Sequence, residues 1–411
     1  MRILLFTQYY PPEITAGAMR TESFARGLAA RGHDVAVVCE IPNHPQGVVA
    51  PGFRGRAVFR ADEEGVKVRR VWVYARPAKT AASRIANYAS YALLASAVGS
   101  RGRRPDVVLA SSPPLPVGAA AAAVARRFGV PWVLDVRDLW PDIAVVLGQL
   151  PEGPPLEMAR RLERGLYRSA ARITAVTEPF KDHIEANGGE GKVSVIYNGT
   201  SSTYLDAGVA EPDREQLGLP RDRFLFTYAG NLGMAQGLEA AVEAAGRQDE
   251  GFQLLLLGEG PRRAALAAMA GELPPGRVQF RDLVPPEQAA RIMRASDALL
   301  VPLAKDPAFH AYVPSKLFDV CAIGRPVIVA TGGESERLVA QHDAAVRVPP
   351  EDPQALAEAL GTIRADPELR DRLSRQAVAF ASEHLRERGV DRLEEILRAA
   401  VGTGSSASGR T

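Results

Sequence analysis

Short, unbroken apolar runs recur along the chain, each followed by a longer stretch in which apolar residues return every three or four positions. In the first half these runs predict strands at 2–7, 34–39, 66–74, 106–110, 131–135, 171–176 and 192–196. Helical spacing predicts helices at 18–31, 81–99, 115–128, 155–169 and 178–187. Strands without polar alternation are covered on both faces, so the pattern implies a parallel sheet wrapped by helices. The stretch NGTSSTYLDAGVAEPDREQLGLPRD, 198–222, breaks the rhythm with glycine, proline and charge and reads as an interdomain linker.

The rhythm then restarts, with strands predicted at 224–229, 252–257, 277–280, 297–302, 326–330 and 344–347. Helices are predicted at 236–247, 262–270, 286–295, 314–323, 334–341 and 352–364, and two more within 367–400. The expected fold class is α/β, with two Rossmann-like doubly wound parallel-sheet domains at 1–200 and 201–385. Residues 401–411, small and polar, read as a disordered tail. Open parallel sheets take ligands at the carboxyl ends of their strands, so two such sheets facing a cleft imply one shared site.

Composition changes this picture little. The chain has 411 residues, 46% hydrophobic and 24% charged, which fits a soluble protein of two domains. Its two cysteines, Cys39 and Cys321, lie far apart in apolar runs and read as buried free thiols of a reducing cytosol. The first apolar run is too short for a signal peptide, and no run reaches about 18 residues, so a spanning helix is not expected. Net charge is +2 but uneven: residues 1–200 carry 26 basic and 18 acidic side chains, and the remainder 24 and 30. That suggests an anionic partner for the first half, a lipid surface or a polyphosphate, unless it is scatter in an arginine-rich chain. A nucleic-acid partner is not expected.

Candidate chemistry gathers at strand ends. In AGAMR, Gly17 precedes a helix whose start, with Arg20 on its first turn, reads either as an anion seat or as a plain strand-to-helix turn. The run GVPWVLDVRDLWPD, 129–142, puts Asp135, Arg137 and Asp138 at the end of a strand. Arg137 suits a phosphate or acceptor clamp and Asp138 a hydroxyl-positioning role; an internal Arg–Asp pair is the alternative. SSPPL, with Ser112, ends the neighbouring strand, and His44 in IPNHPQGVV follows another; both are acceptor-side candidates. His33 reads as a structural turn residue.

In the second half, Asn231, Gln236 and Gly258 lie in glycine-rich turns after strands. In AYVPSKLFDVCAIGRPVIVATGGESERL, 311–338, Lys316 sits in the first turn of a helix, where a cation opposes the dipole unless an anion also binds. Asp319 follows on the same face. The pair suits a nucleotide-sugar diphosphate, with Lys316 on phosphate and Asp319 on ribose; a surface ion pair is the alternative.

The motifs LAARGHDVAVV, VLDVRDLWPD, YAGNLGMAQGLE, LLGEGP and VPSKLFDVCAIGRPVI together resemble the family-4 glycosyltransferases of GT-B fold. Within that family the chain is similar to the bacterial branch that builds surface polysaccharides or modifies sugar amines. The resemblance implies retaining transfer from a nucleotide-diphosphate sugar, of hexosyl or N-acetylhexosaminyl type. It places the donor mainly on the C-terminal domain, the acceptor on the N-terminal one, and a last helix, 386–400, crossing back to the first domain. Two departures stand out. The family often has two acids eight residues apart, but Asp319 is preceded at that spacing by Ala311. Many members also have Arg and Lys where this chain has Asn231 and Gln236.

The sequence contains no D-x-D motif, so no cofactor or metal is expected, and the leaving diphosphate is assigned to Lys316, Arg20 and helix starts such as Gly17. Loss of one such contact typically costs on the order of 3 kcal/mol, about a hundredfold in rate. Residues 83–106, apolar on much of one face and followed by Arg101, Arg103 and Arg104, suit an anionic membrane surface carrying a lipid-linked saccharide acceptor, or else a buried helix and charged loop. The protein is therefore expected in the cytoplasm, peripheral to the inner face of the plasma membrane. A nucleotide-sugar epimerase and a non-catalytic binder of a phosphorylated ligand are the competing readings.

Overall fold

The computed structural model describes residues 1–411 except 45, 78–79, 147, 149, 151, 206–211 and 408–411. The chain divides into two compact units, one of residues 1–197 with the C-terminal segment from Arg386, the other Asn198–Leu385.

The first unit runs β1 (Arg2–Phe6), α1 (Ala16–Ala30), β2 (Asp34–Glu40), β3 (Val58–Glu63), β4 (Val66–Val71), α2 (Ala81–Gly99), β5 (Val107–Ser112), α3 (Leu115–Phe128), β6 (Trp132–Val136), α4 (Asp142–Val146), α5 (Pro154–Ser169), β7 (Arg172–Ala175), α6 (Glu178–Ile184) and β8 (Val193–Val195). Its strand order is β3-β4-β2-β1-β5-β6-β7-β8. Ile3 and Leu5 of β1 join Val35 and Val37 of β2 beneath Phe24 and Leu28 of α1. On the other face α2 settles onto the sheet through Gly99, where an added Cβ would come within 2.5 Å of the Phe6 ring.

The sheet is mixed where a wholly parallel one was expected, because β3 pairs antiparallel with β4. This edge strand, VFRADE, is half exposed and has no apolar run to betray it. Its turn places Glu64 at φ 51° and Gly65 at φ 80°, the left-handed pair that a tight hairpin needs.

The second unit runs β9 (Phe224–Ala229), α7 (Glu239–Gly246), β10 (Phe252–Leu257), α8 (Arg263–Gly271), β11 (Val278–Arg281), α9 (Pro286–Arg294), β12 (Ala298–Pro302), α10 (Lys316–Ala322), β13 (Val327–Ala330), α11 (Glu334–Ala340), β14 (Val346–Val348), α12 (Pro353–Ala365) and α13 (Pro367–Glu383). Six strands, all parallel, lie in the order β11-β10-β9-β12-β13-β14. Central β10, FQLLLL, is buried at every position. It sends Leu254 and Leu256 towards Leu266 and Leu360, and Leu255 and Leu257 towards Ile292.

Helix α14 (Arg386–Ala407) packs in the first unit, adding Val390, Leu393, Leu397 and Ala400 to the core beside α1. Residues 401–407, expected as tail, continue this helix. Once a helix is nucleated and anchored, each added residue gains a backbone bond, and weak propensity no longer decides. Residues 408–411 lie outside the described residues.

In the first sheet the strand order reverses between β1 and β5, and in the second between β9 and β12. Crevices open at such switch points, beyond the strands' carboxyl ends. Cys39 and Cys321 are buried free thiols. Among the described residues no helix is long and apolar enough to cross a membrane.

Candidate active site

At the first switch point, the loop after β1 leads into α1, whose N-terminus is capped by Thr15: its hydroxyl accepts from the Ala18 N–H at 3.0 Å. The room above Gly17 is taken by the Arg137 guanidinium, which reaches it from the end of β6. Arg137 donates through Nη2 to the Pro113 carbonyl at 2.7 Å, and its buried Nε–H has no partner. Burial holds its pKa below the ordinary value, against the pull of Asp138 and Asp135.

Arg20 turns inward, away from the helix mouth. It pairs with fully buried Asp135 at 2.8 Å, and Ser111 and Thr174 donate to the same carboxylate at 2.8 and 2.7 Å. Burial pushes Asp135 upward, but the charge and hydrogen bonds of Arg20 prevail and hold it below the usual carboxylate range. The sequence reading of three charges turned toward ligand therefore splits. Asp135 and Arg20 are an internal pair, whereas Arg137 and Asp138 line a crevice with Gln8, Tyr9, Tyr88 and Trp140. Burial lifts Asp138 to about 6, Arg137 opposing. Ser112 is buried at the end of β5, with its carbonyl accepting from the Arg137 N–H at 2.8 Å.

A second basin adjoins the first through Tyr9 and Tyr88, with His44, Arg76, Arg84 and Asn87 among its lining. His44 is exposed and tilts against Tyr9 at 4.8 Å between ring centroids. Its loop is held from below by Glu13, whose Oε1 accepts from the Asn43 and His44 N–H groups, both at 2.8 Å. Beside it lies buried Glu40, which accepts from Gln8 and Asn43 at 2.8 and 2.7 Å. Burial, reinforced by the Glu13 charge, raises Glu40 to about 8. Sequence reasoning passed over Glu13, Glu40 and Tyr9. Glu40 gave the signal that drew notice to Asp135, a charge ending an apolar strand, and was readable. His33 is structural, bonded to the Met1 amino group and Glu394 at 3.0 Å each.

At the second switch point, Lys316 opens α10 after β12 and reaches across to the end of β9. Its Nζ donates to the Tyr228 hydroxyl at 2.5 Å and the Ala229 carbonyl at 3.4 Å, and lies 4.1 Å from the Tyr228 ring centroid. Tyr228 in turn donates to the Asn231 carbonyl at 2.7 Å. Gly230, at φ 142°, makes room for the ammonium: a Cβ there would come within 2.5 Å of Nζ. Among the described residues no charge partner acts on Lys316, and burial alone lowers its pKa to about 7.

Asp319 lies one turn on and accepts from the buried Thr200 hydroxyl at 2.9 Å. Gln236 closes its own turn by accepting from the Gly233 N–H at 3.1 Å, while Asn231 is exposed at the same bend. Gly258 serves packing: its missing Cβ would stand 2.0 Å from the Gly230 carbonyl oxygen. Among the described residues no three His, Cys, Asp or Glu side chains gather as metal ligands.

Residues 15–199 match the family described as Glycosyl transferase 4-like domain, and residues 209–379 match Glycosyl transferases group 1. Over 346 residues the chain is 26% identical to WcaI of Escherichia coli (strain K12), whose name places it in colanic acid biosynthesis as a glycosyl transferase; 82% of this chain and 84% of that protein are covered. Sucrose-phosphate synthase from Thermosynechococcus elongatus shares the fold at a TM-score of 0.76 and 20% identity, over 98% of this chain and 99% of that one. Anabaena HepE, solved in complex with UDP-glucose, does so at 0.70 and 18%, over 99% and 100%. With both of its sheets matched in this way, the chain belongs to the group 1 glycosyltransferases and has their GT-B fold of two α/β units.

Proposed function

We propose that this enzyme moves a hexosyl or N-acetylhexosaminyl unit from a nucleoside-diphosphate sugar to a cell-envelope saccharide, polymeric or lipid-linked, with retention and without a metal ion. The observation that carries this reading is Lys316: a desolvated ammonium at the carboxyl end of β9, held by a phenol and a carbonyl and lacking a carboxylate. A diphosphate supplies the missing charge, and the stabilisation grows as the sugar–phosphate bond breaks and negative charge develops on the leaving group. Asp319, one turn along α10, takes the ribose hydroxyls, and Asn231 and Gln236 flank the phosphates from the turn after β9.

In the first unit Asp138 positions the acceptor hydroxyl, with Arg137 beside it, and His44 and Ser112 lie on the acceptor side. Gly17 and the start of α1 form that unit's anion-facing element. The leaving phosphate oxygen accepts the acceptor's proton, so retention needs no nucleophilic carboxylate. A UDP-glucose complex of a protein of this fold, and a relative named for colanic acid synthesis, support the donor and acceptor classes. The apolar outer face of α2 and the arginines after it support a cytoplasmic enzyme resting on the inner face of the plasma membrane.

Epimerase and binding-only readings are not favoured, since the family match is to transferases. The test is incubation with a panel of nucleotide sugars and lipid-linked acceptors, with and without chelator, reading nucleoside diphosphate release and sugar transfer. Transfer with the product's anomeric configuration retained, insensitive to chelator and reduced about a hundredfold by Lys316→Ala, is expected. Sugar interconversion without transfer, or transfer that Lys316→Ala leaves intact, overturns it.

A further inference from the structure

We infer that the basin beneath α2 binds a phosphate group borne by the acceptor, through Arg76 and Arg84. This rests on the transferase reading only for the word acceptor; the seat itself stands on its own geometry. Arg76 follows β4 and Arg84 lies on the first turns of α2, and both line one cavity of about 260 Å³. Among the described residues no carboxylate lines it. Two acids lie beneath it, and of these Glu40 carries little charge at neutral pH. Glu13 is turned to the Asn43 and His44 amides, and Glu40 keeps its proton up to about 8. The walls are aromatic: Tyr74 carries the Arg76 guanidinium at 5.2 Å, and Tyr9 and Tyr88 join this basin to the Asp138 crevice.

Planar guanidinium groups match phosphate oxygens in pairs, and tyrosine faces with an amide, Asn87, suit a sugar ring beside them. The basin thus reads a saccharide and an attached phosphate, while Asp138 holds the hydroxyl that reacts. The same phosphate chemistry belongs to a polyprenyl carrier or to a soluble sugar phosphate. Helix α2 points to the carrier. It gives Arg84 and Tyr88 to the basin and turns a row of Ala82, Ile85, Ala89, Leu93 and Ala97 to solvent, with Ile85 65% and Leu93 73% exposed.

The experiment is a calorimetric titration of the full chain with inorganic phosphate, comparing wild type, R76Q/R84Q and K316A. Near-ultraviolet circular dichroism and thermal unfolding confirm that each is folded. The double variant is expected to weaken phosphate binding about tenfold or more, whereas K316A keeps this site. Two further probes separate the sources. Capture by phosphatidylcholine vesicles containing polyprenyl phosphate, lost in R76Q/R84Q, assigns the carrier. Tighter binding of glucose 1-phosphate than of glucose, again lost in R76Q/R84Q and without vesicle capture, assigns a soluble sugar phosphate. Equal affinity of wild type and R76Q/R84Q for every probe overturns the inference. Arginine-dependent phosphate binding in a protein that transfers no sugar from any donor would leave the seat standing and remove the transferase reading.

Discussion

The guanidinium of Arg137 lies on the backbone of Gly17: a Cβ built on that glycine would stand 1.8 Å from Nη1 and 2.6 Å from Cζ. The start of α1 is therefore shaped to receive a side chain from the end of β6. Arg137 is fixed further by the carbonyl of Pro113, after β5. Three strand ends meet in one cation; its Nε–H is buried and unpartnered, and the residue lines a crevice with Asp138.

Gly17→Ala should displace that guanidinium and lower sugar transfer about ten- to a hundredfold. Thermal unfolding should shift by only a few degrees, since the atoms in the way are the far end of a flexible side chain and not backbone. Arg137→Ala should cost as much, and Gly17→Ala should then add nothing to it. Losses that multiply in the double variant would show that the two residues act separately.

Donor affinity should depend on pH through Lys316. Burial sets its pKa at about 7 rather than 10.5, and the bound diphosphate selects the charged form. Below about 7 the ammonium is already protonated and affinity is flat. Above it, binding must take up a proton, and affinity should fall by about tenfold per pH unit. Calorimetry of nucleoside diphosphate binding in buffers of different ionisation heat measures that proton directly; Lys316→Gln should abolish both the uptake and the slope.

Asp138 predicts the opposite limb. Its carboxyl is lifted from 3.8 to about 6, so the ionised form that orients a hydroxyl is lost as pH falls through about 6. The rate at low acceptor should drop there by about tenfold per pH unit. Asp138→Asn should lower the neutral plateau and erase that limb. A limb that survives in the variant assigns it to another group.

Helix α14 closes the first unit's core after the chain has already built the second. Leu393, fully buried against α1, should cost about 2–5 kcal/mol when changed to Ala. Chemical denaturation of Leu393→Ala should shift the unfolding of the first unit, and a probe in the second unit should report little change.

The outer face of α2 should hold the protein to anionic vesicles. Ile85→Glu with Leu93→Glu replaces two largely exposed side chains, so stability should change little while flotation with acidic lipid is lost. Flotation undiminished in this variant would move the contact elsewhere.

Much of this molecule was legible in its apolar runs. ILLF, FQLLLL and the runs between them had no polar alternation, so they had to be buried on both faces, and helices had to cover them. That logic failed where burial was partial: VFRADE, half wet at the sheet edge, left no pattern to read. Lys316 drew notice in the sequence because a cation opening a helix is locally unfavourable, and the structure places it against Tyr228 at the end of β9.

What the sequence determined, then, was the two wound sheets and the strand ends at which chemistry had to gather. What tertiary structure decided was which charges faced inward. Arg20, Arg137, Asp135 and Asp138 look alike in a row of letters. Yet Arg20 and Asp135 neutralise each other in the core, while Arg137 and Asp138 line a crevice. The reason is physical: a buried charge is tolerated only beside its complement, and the complements here come from strands and helices distant in sequence. Strand order likewise sets the contact of Lys316 with the neutral Tyr228 phenol, because β12, which leads towards α10, lies beside β9.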